Sequence, residues 1–79
     1  MVKAFHTERY AKLIEGLVAA RHKAGLTQQQ VADRLGKPQS YVAKIEGGER
    51  RLDILEFVDY AHALDREAPE LLKKMTKQV

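Results

Sequence analysis

The chain contains no cysteine, which excludes disulfides and thiolate zinc centres and fits a reducing compartment. No apolar run approaches the roughly 18 residues of a membrane-spanning helix. The opening MVKAFHTERY also lacks the uninterrupted apolar core of a signal peptide. A cytoplasmic location away from any membrane is therefore expected. His6, His22 and His62 stand far apart, without metal-ligand spacing, and read as surface titrating groups; neither a metal nor another cofactor is expected. There is no glycine-rich loop to cradle a phosphate and no nucleophile beside a base. Asp and Glu fall mostly at helix starts and on outward positions, where capping explains them better than acid–base chemistry. The chain thus reads as a non-enzyme. Strand signals, internal repeats, low-complexity stretches and linkers are missing as well. With 79 residues, a chain this short buries only about 60–65% of its unfolded surface, so one domain over residues 1–79 is expected, with no separate sensing domain.

What remains is a chain of short amphipathic helices. Thr7 is a plausible cap for a first helix running to about Lys23, with Tyr10, Leu13, Ile14, Leu17 and Val18 on its buried stripe and Gly25 at its end. The most informative stretch follows, Leu26 to Gly48, reading LTQQQVADRLGKPQSYVAKIEGG. Thr27 and Gln30 form a capping box, with Leu26 and Val31 as a hydrophobic staple, so the next helix starts at about Gln28. Val31, Ala32 and Leu35 share its inner face, and Gly36 stops it because glycine reaches the left-handed conformation without a Cβ penalty. Pro38 suits the first turn of a third helix, expected from Pro38 to Glu46. Val42 and Ile45 point inward, leaving Gln39, Ser40, Tyr41, Ala43 and Lys44 on the outward side or its margins. Asp53 and Glu56 make a second capping box, with Leu52 and Phe57 as its staple. Ile54, Phe57, Val58, Ala61 and Leu64 then repeat at helical spacing in a helix ending near Leu64. A last helix, about 68–77, carries Leu71, Leu72 and Met75. That apolar face can fold back on the core or pair with a second copy across a twofold axis. An all-α bundle of five helices is the architecture this pattern supports.

Over about residues 27–46 the two helices and their glycine turn have the build of a helix-turn-helix. Here the chain resembles the phage repressor and Cro family, often called Xre-like regulators, from about Leu13 to Leu64. Gln28, Ala32, Gly36, Val42, Ile45 and the closing Ile45-Glu46-Gly47-Gly48 fall in that family's register. The resemblance implies a compact five-helix repressor-like bundle that binds operator DNA as a twofold dimer. It also implies that Gln28 touches a phosphate, that Gln39, Ser40 and Lys44 face base edges, and that Arg21 and Glu46 form a structural ion pair. Lys37 stands where an apolar residue is common, and Pro38 replaces the usual Ser or Thr cap.

Fourteen Lys and Arg against eleven Asp and Glu leave a net charge of +3, a mild bias toward polyanions. Lys37, Arg50, Arg51 and the amide end of the helix at Gln28 are candidates for phosphate contacts, which fix position without reading sequence. Glu49 adds an acidic group that the two arginines must offset. Gln39 can pair with adenine N6 and N7, and Lys44 can donate to guanine O6 and N7; Ser40 suits a base or a phosphate. Tyr41 can reach a phosphate or sugar, and it equally suits an amphipathic margin of the core. The outward row could be an ordinary solvated helix face, and Arg50 and Arg51 a solvated loop. The function expected is a regulator on a pseudo-palindromic DNA operator, acting as a homodimer at the nucleoid of a bacterium or encoded by a phage. Phage-type repressor, controller of a restriction system and free-standing chromosomal regulator fit equally. The alternative is an antitoxin or adaptor that docks on a protein partner, a toxin or polymerase. RNA binding fits less well, because the ridge has only Tyr41 as a stacking platform.

Overall fold

Among the described residues are five helices, most of which begin or end on a residue whose chemistry favours the boundary. The computed structural model describes residues 7–77 and 79, so His6 lies outside the described residues. Helix α1 spans Glu8–Lys23, α2 Gln28–Leu35, α3 Gln39–Glu46, α4 Ile54–Ala63 and α5 Ala68–Met75. The Thr7 hydroxyl accepts from the Tyr10 amide at the start of α1. Both expected capping boxes form. In the first, Gln30 N donates to Thr27 and Thr27 N donates back to the Gln30 side chain; Asp53 and Glu56 do the same before α4. Each box satisfies two amides that a helix start would leave without a partner. Gly36 closes α2 at φ +68°, where a side chain would be strained.

Two boundaries differ from the sequence reading: α5 ends at Met75 rather than near residue 77, and the start of α3 moves. Pro38 is not in the first turn of α3 but caps it in extended conformation, φ −70° and ψ 155°, with no side-chain hydrogen bond to the turn. A proline ring has no acceptor to offer, so the third helix starts one residue later with its first amides unserved by a cap.

The helix pairs in contact are α1 with α3 and α5, α2 with α3 and α4, and α4 with α5. They form a closed circuit around one cluster. Ile14, Leu17, Val31, Ala32, Val42, Ile45, Tyr60, Ala61, Leu64, Leu71 and Met75 are buried there. Tyr10, Leu13, Val18, Leu35 and Phe57 pack against it half-buried. Ala32 is fully buried at the α2 end of the helix-turn-helix, where a small side chain lets helices approach. Gly16 does the same for α1 and α5, since a Cβ there would stand 2.9 Å from the Met75 Cα.

Two apolar expectations shift. Ile54, counted in the buried stripe of α4, is 82% exposed, as is most of Leu55, whereas Tyr60 is fully buried. The stripe that packs is Phe57, Tyr60, Ala61 and Leu64, the i, i+3, i+4, i+7 face of that helix. In α5, Leu71 and Met75 are sealed in the chain's own core, so of the three apolar residues in the last helix only Leu72 remains open to solvent.

Candidate nucleic-acid interface

Helix α3 is an apolar keel under a polar ridge. Val42 and Ile45 are fully buried, while Gln39, Ser40 and Lys44 are all exposed. At about 100° per residue, the three exposed side chains share one arc on the side opposite Val42 and Ile45. Ala43 sits among them half-buried, and Tyr41 at the margin is half-buried too.

Beneath the ridge lies a buried polar hub centred on Glu46, the last residue of α3. Arg21 Nε donates to Glu46 Oε2 at 2.7 Å and Arg21 Nη2 to Oε1 at 3.0 Å, a bidentate pair. The Tyr60 hydroxyl donates to Oε2 at 2.8 Å and Gln28 Nε2 to Oε1 at 2.9 Å. Each oxygen thus accepts two hydrogen bonds, which fills the capacity of a carboxylate. The side chains of the ion pair are only 9% and 5% exposed, so this is not a pair of unrelated surface charges. Burial alone would raise the Glu46 carboxyl, but the hydrogen bonds from Arg21, Gln28 and Tyr60 outweigh it and hold the group below the ordinary carboxylate range. Burial and the adjacent Glu46 carboxylate push the Tyr60 hydroxyl far up, so it stays a donor. Arg21 also donates to the Leu26 carbonyl at 2.8 Å, tying the α1–α2 turn to the same hub.

The hub reaches the ridge through two amides. Gln39 Nε2 donates to Gln28 Oε1 at 2.7 Å, and Gln28 in turn donates to Glu46. Gln28 stands at the first position of α2, half-buried, with both ends of its carboxamide in use.

The cations assigned to the backbone divide into two sets. Arg50 makes a bidentate pair with Glu56 at 3.0 and 2.8 Å and also donates to the Arg51 carbonyl. Its hydrogen bond with Glu56 raises the guanidinium, and the Arg50 hydrogen bond and the Asp53 amide hold Glu56 at about 2. Lys37 and Arg50 both stand over the Tyr41 ring, their charged groups 5.4 and 4.8 Å from its centroid. Burial, then the Glu56 carboxylate, raises the Tyr41 hydroxyl. Lys37 and Arg51 are exposed, with the Arg51 guanidinium 5.1 Å from the Tyr10 ring centroid. Lys37, Tyr41 and Arg50 therefore form one edge beside α3, and Arg51 lies farther along, against α1.

Sequence reasoning missed Gln28 and Tyr60 as members of the hub and Glu56 as the partner of Arg50. The spacing of α4 did not single out Tyr60, because the apolar residues of that helix spread around more than one face. Glu56 had no local signal beyond the capping box that it also serves. Arg34, off the inner face of α2, donates to the Ala63 carbonyl at 2.7 Å and to Asp65 at 3.1 Å. There it braces the turn in which Asp65 takes φ +60°. Among the described residues no group of His, Asp and Glu could hold a metal ion, and no helix is long and apolar enough to cross a membrane.

Comparison with known proteins points the same way. The family model described as helix-turn-helix matches residues 17–71. An XRE-family like protein from Pseudomonas syringae pv. tomato str. DC3000 is 46% identical, with a TM-score of 0.78 over 85% of this chain and 82% of that one. The restriction-modification controller protein C.AhdI from Aeromonas hydrophila is 34% identical, with a TM-score of 0.70 over 77% of this chain and 92% of that one. No curated protein matches the chain.

Proposed function

The chain belongs to the Xre-like helix-turn-helix family of DNA-binding regulators and is not an enzyme, and we propose that it reads a pseudo-palindromic operator with α3 in the major groove and one copy on each half-site. The observation that carries this reading is the exposed row of Gln39, Ser40 and Lys44 on a helix whose opposite side is sealed in core. Gln39 gives one N–H to Gln28. The other N–H and Oε1 remain for adenine N7 and N6, while Lys44 suits guanine O6 and N7; each such contact discriminates by roughly 1–3 kcal/mol. Ser40 serves a base or a phosphate. Lys37 and Arg51 are the phosphate contacts this reading favours. Gln28, Tyr41 and Arg50 adjoin the backbone path half-buried, so less of each side chain is open to a phosphate. Such a regulator works in the cytoplasm, on DNA of the nucleoid. The relative named as a restriction-modification controller favours that role over a phage-type repressor or a free-standing regulator.

Selection of bound duplexes from random DNA tests this directly. The expected product is an inverted repeat with half-site centres about 34 Å apart. Gln39→Ala should relax preference at one base pair of each half-site. Failure to enrich any duplex, or an unchanged preference in Gln39→Ala, would overturn the assignment of α3 as the reading helix.

A further inference from the structure

The positive charge of this chain is gathered away from α3. Between α1 and α5 runs an open groove of about 370 Å³, lined by the cations Lys12, Lys23, Arg66, Lys74 and Lys77 and by one acid, Glu15. Five of the 14 cations and one of the 11 acids thus lie here, which leaves nine cations against ten acids for the rest of the chain. Arg66 is engaged with Glu70 at 3.5 Å. Among the described residues the four lysines belong to no ion pair, and all four are exposed. A helix C-terminus favours nearby cations, which accounts for Lys23 and Lys74 in the last turns of α1 and α5. It does not account for Lys12, in the first half of α1. Uncompensated cations along one groove repel one another, and an anionic occupant relieves that repulsion.

We propose that this groove is the docking site for an acidic segment of a partner protein, with carboxylates against the lysines and an apolar side chain on the floor between them. The length of the groove excludes a small anion as its full occupant. Lys12 and Lys23 stand about 16 Å apart along α1, so one phosphate or carboxylate meets the cations of one end only. An extended segment of about five residues spans the whole. The floor separates a peptide from a nucleic-acid strand. Gly16, Ala19, Ala20 and Met75 form it, offering an apolar surface to a side chain such as leucine. No aromatic ring lines the groove among the described residues, so a base has no platform on which to stack.

The groove is distinct from the DNA-reading ridge. On α1 it is bordered by Lys12, Gly16, Ala19 and Lys23, one stripe of the helix, whereas Arg21, which reaches Glu46 of α3, lies on another. Helix α5 makes no contact with α3. Groove and ridge can therefore be filled at the same time, and a partner docked between α1 and α5 is carried to whatever DNA α3 holds. That consequence rests on the operator reading above; binding of an acidic segment does not. Charge complementarity of this kind also speeds the encounter and rejects basic partners.

A fluorescein-labelled peptide of repeated Asp-Leu-Glu units, about twice the length of the groove, is the probe for anisotropy titrations of the full chain. Wild type should bind it saturably, and the same peptide with Asn and Gln in place of its acids should bind at least tenfold more weakly. Lys12→Glu combined with Lys74→Glu should reduce affinity for the acidic peptide at least tenfold with an unchanged circular dichroism spectrum, because both side chains are exposed. Lys37→Glu with Lys44→Glu removes the same charge from the ridge and should leave peptide affinity within about twofold of wild type. Amide shifts on adding the peptide should concentrate at Gly16, Ala19 and Ala20. Absence of saturable binding overturns the proposal, as does equal binding of the uncharged peptide or equal loss in the ridge pair, which would reduce the attraction to net charge. A single-stranded oligonucleotide of matched charge that binds more tightly, and is lost in the Lys12→Glu, Lys74→Glu variant, would overturn it in favour of a nucleic-acid groove. Duplex binding separates the two readings. A wild type that binds the peptide but no duplex defeats the operator reading alone, and one that binds duplex but not the peptide defeats the groove alone.

Discussion

Removing the Glu46 carboxylate should be among the most damaging single changes in this chain. In Glu46→Ala, the Arg21 guanidinium, whose residue is 8% exposed, keeps the Leu26 carbonyl as an acceptor but loses its counter-charge. Gln28 Nε2 and the Tyr60 hydroxyl lose their acceptor at the same time. Breaking a buried pair from one side costs about 3–5 kcal/mol. A domain of 79 residues has a total stability of roughly 4–12 kcal/mol. The variant should therefore lose about a quarter or more of its stability, and a urea titration followed by circular dichroism reads the loss as a lower midpoint at unchanged slope. Replacing both partners, as in Arg21→Met with Glu46→Met, removes the stranded charge and should recover part of the loss. Recovery stays incomplete, because Gln28 Nε2 and the Tyr60 hydroxyl would each still lack an acceptor, at about 1–3 kcal/mol apiece. The pH dependence has a definite sign. Glu46 sits below its ordinary 4.5 in the folded protein, so its contribution is present above that pH and is lost as pH falls through the lower, folded value. Glu56, held at about 2, acts in the same direction from the surface, where solvent screening keeps its share small. Glu46→Gln should flatten the acid limb of the stability profile. A Glu46→Ala protein within about 1 kcal/mol of wild type, or a double variant as damaged as the two singles added together, would refute the buried-hub account.

Three further outcomes follow from packing and charge. Ala32→Leu should lower stability by about 1–3 kcal/mol through overpacking of a fully buried site; denaturant titration measures it, and wild-type stability would contradict the placement. Gly16→Ala should destabilise even though alanine favours helix by about 1 kcal/mol, because its Cβ would meet the Met75 backbone at 2.9 Å and force α5 outward; a raised melting temperature would show that α5 yields freely. Arg51→Ala should weaken binding to all duplexes alike and reduce the slope of log affinity against log salt by about one; a changed sequence preference would instead make Arg51 a base reader.

The fold was legible wherever a short-range rule decides the structure. Capping boxes are closed by residues three apart, and a left-handed stop needs only one glycine, so Thr27 with Gln30, Asp53 with Glu56, and Gly36 marked their boundaries in sequence. Burial on α4 was less legible, because Ile54, Leu55, Phe57, Val58, Tyr60, Ala61 and Leu64 spread around more than one helix face. Periodicity cannot choose which edge of so broad a face meets the core. The partner helices choose, and here they take the Tyr60 side. The Arg21–Glu46 pair came from resemblance alone, as its members are 25 residues apart in sequence. Polar partners joined across a loop, such as Arg50 with Glu56 six residues on or Arg34 with the Ala63 carbonyl, depend on loop paths that no periodic pattern encodes. The exposed ridge of α3 was legible because two inward apolar residues on a helix of eight fix which side faces out.

The hub also determines what the ridge presents. Glu46 is ionised and can only accept, so Gln28 must turn its Nε2 toward it, which leaves Gln28 Oε1 facing α3. An acceptor there obliges Gln39 to donate with its own Nε2. The Gln39 carboxamide is thereby held in one of its two flipped orientations, with Oε1 and one N–H outward, the pattern that complements adenine N6 and N7. A side chain that ordinarily loses considerable rotamer entropy on ordering is thus oriented before any ligand arrives. The same Arg21–Glu46 pair that joins α1 to the end of α3 therefore sets the donor and acceptor order at the beginning of α3. If α3 reads DNA as proposed, stability and reading become two consequences of one buried carboxylate, and a substitution that spared the fold but turned Gln28 around should change the base preference at the Gln39 position.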